Sequence, residues 1–408
     1  MTDLKRNVPE LRFPEFEGEW EEKPLNEKVE FYSGLTYSPD DITDEKGTFV
    51  VRSSNIKNNR LIDADNVYVN LKKLTIEKVK DGDIIVVVRN GSRKLIGKHA
   101  LVSSTLNNTV IGAFMTGIRT DNSLFINALL DTETFKRNIH MNLGATINQI
   151  TVGMFKKMKF YIPIDSEQQK IGGFFSKLDR QIELEEQKLA LLEEQKKGYM
   201  QKIFSQELRF KDDNRNDYPE WEERKLEDIA NYRRGSFPQP YGNKEWYDEE
   251  NGEPFVQVYD VDSNMKLNRQ TKQKISQIAK PKSVKGIKGN IVITLQGSIG
   301  RVAVLQYDAY IDRTLLLINS YKKPVNTDYI KYVLYLLFLR EKERAPGGTI
   351  KTITKNVLSN FKIKLPVLEE QQKIGNFFNK LDQQIELQGQ KVESLKQRKK
   401  GLLQKMFV

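Results

Sequence analysis

Glu167-Gln168-Gln169-Lys170-Ile171-Gly172 is read again 203 positions (370 − 167) later as Glu370-Gln371-Gln372-Lys373-Ile374-Gly375. The register then holds. Phe174-Phe175 answers Phe377-Phe378, Leu178-Asp179 answers Leu381-Asp382, and Gln181-Ile182-Glu183-Leu184 answers Gln384-Ile385-Glu386-Leu387. Further on, Lys196-Lys197-Gly198 answers Lys399-Lys400-Gly401, and Gln201-Lys202 answers Gln404-Lys405. A period of half the chain builds two similar halves, since solenoids repeat every ~20–50 residues. Two halves suit a target that itself comes in two halves, such as double-stranded DNA with a split recognition site.

The repeated block is helical. From Ser166, a plausible N-cap, to about Gln206 the apolar residues follow a heptad. Ile171, Leu178, Leu192 and Tyr199 take one position, and Phe175, Ile182, Leu189 and Ile203 take the other. The second copy offers Ile374, Leu381, Leu395 and Leu402 with Phe378, Ile385, Val392 and Met406. Roughly 40 residues at 1.5 Å each make a rod of about 60 Å. Each seam has two polar breaks, Glu185 and Lys196 in the first copy, Gln388 and Lys399 in the second. Buried polar groups need partners. An antiparallel pairing with Leu178 opposite Met406, Leu192 opposite Val392 and Tyr199 opposite Ile385 also sets Glu185 opposite Lys399 and Lys196 opposite Gln388. That register is the one expected. The competing arrangement packs each helix on its own domain.

Around the helices lie two globular stretches. Strand patterns occur at Phe49-Val50-Val51, Val67-Tyr68-Val69 and Ile84 to Val88, with a helix near Leu124 to Ile139. The second stretch has strands at Phe255-Val256-Gln257-Val258 and Ile291-Val292-Ile293, with a helix over Asp328 to Arg344. Landmarks match across the two. Trp20-Glu21-Glu22 pairs with Trp221-Glu222-Glu223, Gly34 with Gly235, Gly144-Ala145-Thr146-Ile147 with Gly347-Gly348-Thr349-Ile350, and Pro163 with Pro366. Between the landmarks almost nothing agrees, so one scaffold carries two different variable surfaces. Glu10-Leu11-Arg12-Phe13 also recurs as Glu207-Leu208-Arg209-Phe210, which makes the repeat nearly circular and fits a pseudo-twofold. The expected architecture is mixed α/β (α+β): globular domains over 1–165 and 207–368, and antiparallel coiled-coil helices over 166–206 and 369–408.

Composition narrows the chemistry. Lys+Arg 66 against Asp+Glu 55 gives a net charge of +11, which favours a polyanion partner. With no cysteine, disulfides and thiolate sites are excluded. Only His99 and His140 are available for a metal or a histidine triad, so no metal site is expected. No signal peptide is read at the N-terminus. The longest apolar run, Tyr332 to Leu339, is too short for a bilayer, so the expectation is a cytoplasmic protein without membrane contact. Gly97-Lys98 lacks the rest of a phosphate-binding loop, and Pro39-Asp40 with Asp44-Glu45-Lys46 is too tightly spaced for a nuclease. No catalytic residue is assigned.

Polar loops after matching strands are the better candidates, because Arg, Asn, Gln and Lys read base edges. Arg89, Asn90, Ser92, Arg93 and Lys94 follow the apolar strand of the first stretch, as Gln296, Ser298 and Arg301 follow its counterpart. Arg52, Asn55 and Lys57, and Arg233, Arg234 and Gln239, are similar. Lys282 and Lys285 belong to a basic run suited to phosphates. Asn148-Gln149 and Lys351-Thr352 are changed polar pairs inside one apolar frame. For any single residue, ordinary solvated surface is the competing reading.

These residues together resemble the specificity subunit of type I restriction–modification systems. The resemblance spans essentially the whole chain and rests on the doubled Glu-Gln-Gln-Lys-Ile-Gly block with Phe-Phe and Leu-Asp-x-Gln-Ile, the Gly-x-Thr-Ile before each, and the Trp-Glu-Glu opening of each domain. It implies a non-catalytic DNA-binding subunit whose two recognition domains each read half of a bipartite asymmetric site. Its helices would set the gap and dock two modification subunits. Those subunits would bind S-adenosylmethionine, flip the adenine and methylate it, and restriction subunits would bring ATP, Mg and cleavage. Two other classes compete: a single-chain nuclease–methyltransferase, which should carry its catalytic domain in the same chain, and a protein-only scaffold.

Overall fold

The computed structural model describes residues 7–70, 76–104, 106–144, 148–344 and 358–408. The chain divides into two units, residues 1–188 with 389–408, and residues 189–388. Each therefore holds one globular domain plus part of both long helices, Asp165–Phe204 and Leu368–Met406.

In the first unit a four-stranded sheet runs Glu30–Ser33, Met115–Arg119, Ile84–Val87, His99–Leu101, all antiparallel. A second sheet runs Thr109–Ile111, Thr48–Val51, Val67–Val69, Ile42–Thr43, its first pair parallel. The second unit repeats the first sheet in the same order: Ala230–Arg234, Leu315–Tyr321, Ile291–Thr294, Val302–Val304. It also repeats the parallel pair, as Glu253–Val256 with Ala309–Ile311, and an antiparallel neighbour, Gln273–Ile275. The fourth strand differs. Ile42–Thr43 adds beyond Val67–Val69, whereas Val284–Gly286 adds on the opposite edge, beside Ala309–Ile311. The apolar runs Ile84–Val87 and Ile291–Thr294 are wholly buried because both are inner strands packed by helices.

The helix pattern of the first domain is broken where one helix was expected. Ser123–Asp131 ends at Thr132, whose hydroxyl accepts from Phe135 N and starts Glu133–Asn142. Thr327–Arg344 is continuous and buries Tyr329, Tyr332, Leu334 and Phe338, so one side of the apolar run is core while its end, Leu339, is exposed. Among the described residues no helix is long and apolar enough to cross a membrane.

The repeated block ties each domain to its long helix. Glu167 and Glu370 are fully buried, and each receives a guanidinium, Arg12 at 2.8 Å and Arg209 at 2.8 Å. Gln168 donates to Pro163 O at 2.9 Å, and Gln371 to Pro366 O at 2.8 Å. A Cβ on Gly172 would lie 2.5 Å from Phe125 N, and one on Gly375 would lie 2.7 Å from Asn326 Oδ1. Only glycine lets the domain helix approach so closely. An aromatic cluster follows the same plan. Phe407 packs on Trp20, Phe125 and Phe175, as Phe204 packs on Trp221, Tyr329 and Phe378. The circular repeat has a structural counterpart: Leu11 N donates to Lys405 O at 2.8 Å, and Leu208 N to Lys202 O at 3.0 Å.

Within each unit the long helices run antiparallel. In the first, Asp179 meets Lys399 at 2.5 Å, Glu185 meets Lys391 at 2.5 Å and Glu186 meets Lys396 at 2.7 Å. In the second, Lys196 meets Asp382 at 2.6 Å, and the rings of Tyr199 and Phe377 lie 5.1 Å apart. The expected register is corrected. Lys399 does not sit on Glu185, nor Lys196 on Gln388; both lysines go to the Leu-Asp aspartates about two turns away. Those aspartates flank the seam, and Lys399 gains a further carboxylate, Asp131 at 2.6 Å, from the domain helix. Heptad positions alone did not include either group.

Candidate nucleic-acid interface

In each unit the loops after the inner strands of both sheets meet, and in the first unit a third chain segment joins them. In the first unit these are Arg52-Ser53 after Thr48–Val51, the loop 89–94 after Ile84–Val87, and Asn148-Gln149. Asn90 Nδ2 donates to Ser53 Oγ at 3.1 Å, Asn148 Nδ2 donates to Gly91 O at 3.0 Å, and Arg89 bridges Gln149. Lys98, rejected above as part of a phosphate-binding loop, donates to Ser53 O at 3.2 Å, and burial holds its ammonium below the usual lysine range. Ser92 and Lys94 are exposed; Arg93 is exposed too and donates to Leu143 O at 3.3 Å. The exposed guanidinium of Arg89 lies 5.0 Å from the ring of Phe114. Sequence-distant candidates thus converge on one polar, cation-bearing face.

Not every candidate belongs to it. Asn55 is corrected: it is 1% exposed, accepts from Arg52 N at 2.9 Å and donates to Ala64 O at 2.6 Å and Asn66 Oδ1 at 2.9 Å. It caps the short helix Ser53–Asn55 from inside, so its amide is not offered to a duplex. Arg52 is held by Asp65 at 2.7 Å. Lys57 is exposed, but on the hairpin Ile56–Lys57/Arg60–Leu61, whose Arg60 donates to Asp179 O at 2.9 Å on the long helix.

The second unit repeats the convergence with other side chains. Gln296 and Ser298 are exposed in a turn braced by Thr294, whose hydroxyl donates to Ser298 O at 2.5 Å. Arg301 donates to Val261 O at 3.0 Å and thereby ties that turn to the segment after Glu253–Val256. Beside it Lys272 lies 5.1 Å from the Tyr259 ring, and burial with the nearby Asp260 pushes the Tyr259 hydroxyl up to about 12. Arg233, Ser236, Lys282, Lys285 and Asn319 line an open groove. Lys282 stands 5.2 Å from the Trp246 ring, and Lys285 pairs with Asp308 at 3.5 Å. Arg234 and Gln239 are exposed. Lys351 and Thr352 lie outside the described residues.

A family model for the type I restriction modification DNA specificity domain matches the chain twice, over residues 17–194 and 218–397. The chain belongs to that family. It is therefore a specificity subunit, in which DNA recognition by two domains is the family role and catalysis is not its own task. It is 26% identical over 418 residues, 98% of this chain and 95% of the other, to a Methanocaldococcus jannaschii protein named as the type I restriction enzyme MjaX specificity subunit. The fold is also that of the S subunit of a type I restriction-modification system from M. genitalium, with TM-score 0.64, 16% identity and coverage of 98% and 99%. A second solved structure, described as showing complex assembly and conformational transition of the type I R-M system, has TM-score 0.57 at 19% identity, with coverage of 95% and 97%. The sequence offers no sign of Phe114, Tyr259 and Lys272 at these faces, and Lys98 enters there only in a rejected phosphate-binding loop. Lys98 does carry a repeat signal, since Ile96-Gly97-Lys98 recurs as Ile299-Gly300-Arg301, whereas Phe114, Tyr259 and Lys272 carry none.

Proposed function

We propose that the domains over 1–165 and 207–368 each read one half of a bipartite asymmetric site on double-stranded DNA. The long helices then set the gap between half-sites and dock two modification subunits. Restriction subunits join where present, and S-adenosylmethionine, ATP and Mg belong to those partners, in the cytoplasm. The observation that carries this reading is the repeated convergence of loops at matching strand ends, with a common frame and unlike side chains. A frame that only stabilised the fold would have no need to vary its polar tips twice.

The test uses the full chain with its modification partner. Affinity for DNA should fall with rising salt, log K declining linearly with log salt as phosphate-bound cations are released. One split sequence should be protected over its competitors. Indifference to DNA would instead favour a protein-only scaffold. Adding residues to the helical pair should change the gap in the recognised site, at ~1.5 Å per residue against ~3.4 Å per base pair. An unchanged gap would remove the ruler role while leaving base reading intact.

A further inference from the structure

We propose that the tripeptide passing from one sheet to the other in each domain determines specificity, with Phe114 and Arg313 contacting base edges of their own half-sites. This rests on the DNA-reading function above and names residues for it. The backbone of the corner is pinned alike in both units. Gly112 N donates to Val51 O at 2.9 Å, as Asp312 N does to Val256 O at 3.0 Å. Val88 N donates to Phe114 O at 3.0 Å, as Leu295 N does to Thr314 O at 2.8 Å. The corner is thus bonded to the ends of both inner strands, which fixes it more firmly than a free loop.

Its side chains have nothing in common: Gly112-Ala113-Phe114 stands where the other domain has Asp312-Arg313-Thr314. A single exposed phenylalanine is unremarkable on a surface. Phe114, however, is 53% exposed and carries the Arg89 guanidinium against its ring, so an apolar face and a cation are presented together. In the other domain Arg313 is exposed and lies 4.8 Å from the Tyr241 ring. The buried Asp312 accepts from Tyr241 Oη and from Thr314 N at 2.8 Å, so it positions the groups on either side of Arg313. A stacked arginine is prepared for the two-pronged contact with guanine O6 and N7, and an exposed ring for the thymine methyl.

The experiment is selection from duplexes randomised in both half-sites, at fixed salt, with the full chain and its modification partner. Wild type must first show two half-site preferences; their absence would refute DNA reading itself. Arg313→Ala should then lose discrimination at one or two base pairs of one half-site by roughly five- to hundred-fold, leaving the other half-site untouched. Phe114→Ala should do the same in the opposite half-site. Arg313→Lys keeps the charge but not the fork, and should lose discrimination as well, which covers the case of an unstable alanine variant. Unchanged preferences, or affinity lost equally over all sequences, would overturn the inference, since either result makes these residues bystanders or phosphate contacts.

Discussion

Lys399→Met should destabilise the chain by about 3–5 kcal/mol, because it leaves two carboxylates facing each other without their cation. Lys399 Nζ lies 2.6 Å from Asp131 and 2.5 Å from Asp179. Burial works against the ammonium, but the two carboxylates outweigh it and its pKa is raised. Burial likewise opposes the Asp131 charge, yet His99, Lys399 and the Asn59 hydrogen bond hold that carboxyl below its ordinary range. Asp179 is pushed upward, by burial first.

The signs set a window. A raised lysine contributes stability that is full below the ordinary lysine range and is lost as pH rises through the folded value. A lowered aspartate contributes stability present above the ordinary aspartate range and lost as pH falls through its folded value. The gap between wild type and Lys399→Met should therefore be wide near neutral pH. It should narrow on acidification, as Asp179 and then Asp131 protonate and no longer need a cation. Denaturant unfolding at several pH values measures this. A gap that does not vary with pH would mean that methionine only packs badly there. The same variant separates the two helix registers. In double-mutant cycles Lys399 should couple to Asp179, whereas Lys399 and Glu185 should be additive within ~0.3–0.5 kcal/mol. Strong coupling to Glu185 would restore the register expected from the heptads.

The reason that register misled is physical. A heptad of apolar residues fits its partner equally well after a slide of one heptad, so polar groups must choose between the fits. One of the deciding groups, Asp131, lies in a domain helix and has no place in the heptad. By contrast the apolar strands Ile84–Val87 and Ile291–Thr294 and the loops after them were legible, because burial on both faces leaves an unbroken apolar run that ends where the loop begins. The corner 112–114 was not legible. Its likeness to 312–314 lies in backbone hydrogen bonds, which leave no trace in residue identity. Asn55 misled in the opposite direction. An asparagine beside an arginine and a serine suits a base edge, but the same amide satisfies its own backbone at a cap. Asp260, at the matching place in the second unit, does that too, accepting from Gln257 N at 2.9 Å.

Glu370→Ala should cost more than Glu167→Ala, although the two glutamates occupy the same place in the repeat. Each is 0% exposed and takes two hydrogen bonds from an arginine, Arg209 at 2.8 and 3.2 Å for Glu370, Arg12 at 2.8 and 2.8 Å for Glu167. Removing either carboxylate takes two charged hydrogen bonds from a part-exposed guanidinium that keeps backbone acceptors, Gly18 O and Glu17 O for Arg12 and Pro219 O for Arg209, a loss of about 1.5–3 kcal/mol per bond. Glu370 also accepts from the Trp221 indole at 3.0 Å, while the matching Trp20 nitrogen is buried and has no partner among the described residues. The second unit should thus lose roughly 1.5–3 kcal/mol more, the worth of a hydrogen bond to a charged group. Hydrogen exchange resolved along the chain assigns each loss to its unit; equal losses, or a greater one for Glu167→Ala, would refute the comparison. The contact also explains why two separate blocks recur in the sequence. The Arg of Glu-Leu-Arg-Phe and the first Glu of Glu-Gln-Gln-Lys-Ile-Gly are far apart in the chain yet are the two sides of one buried ion pair. Loss of either arginine would leave a fully buried carboxylate without its cation, and the chain makes that pair twice.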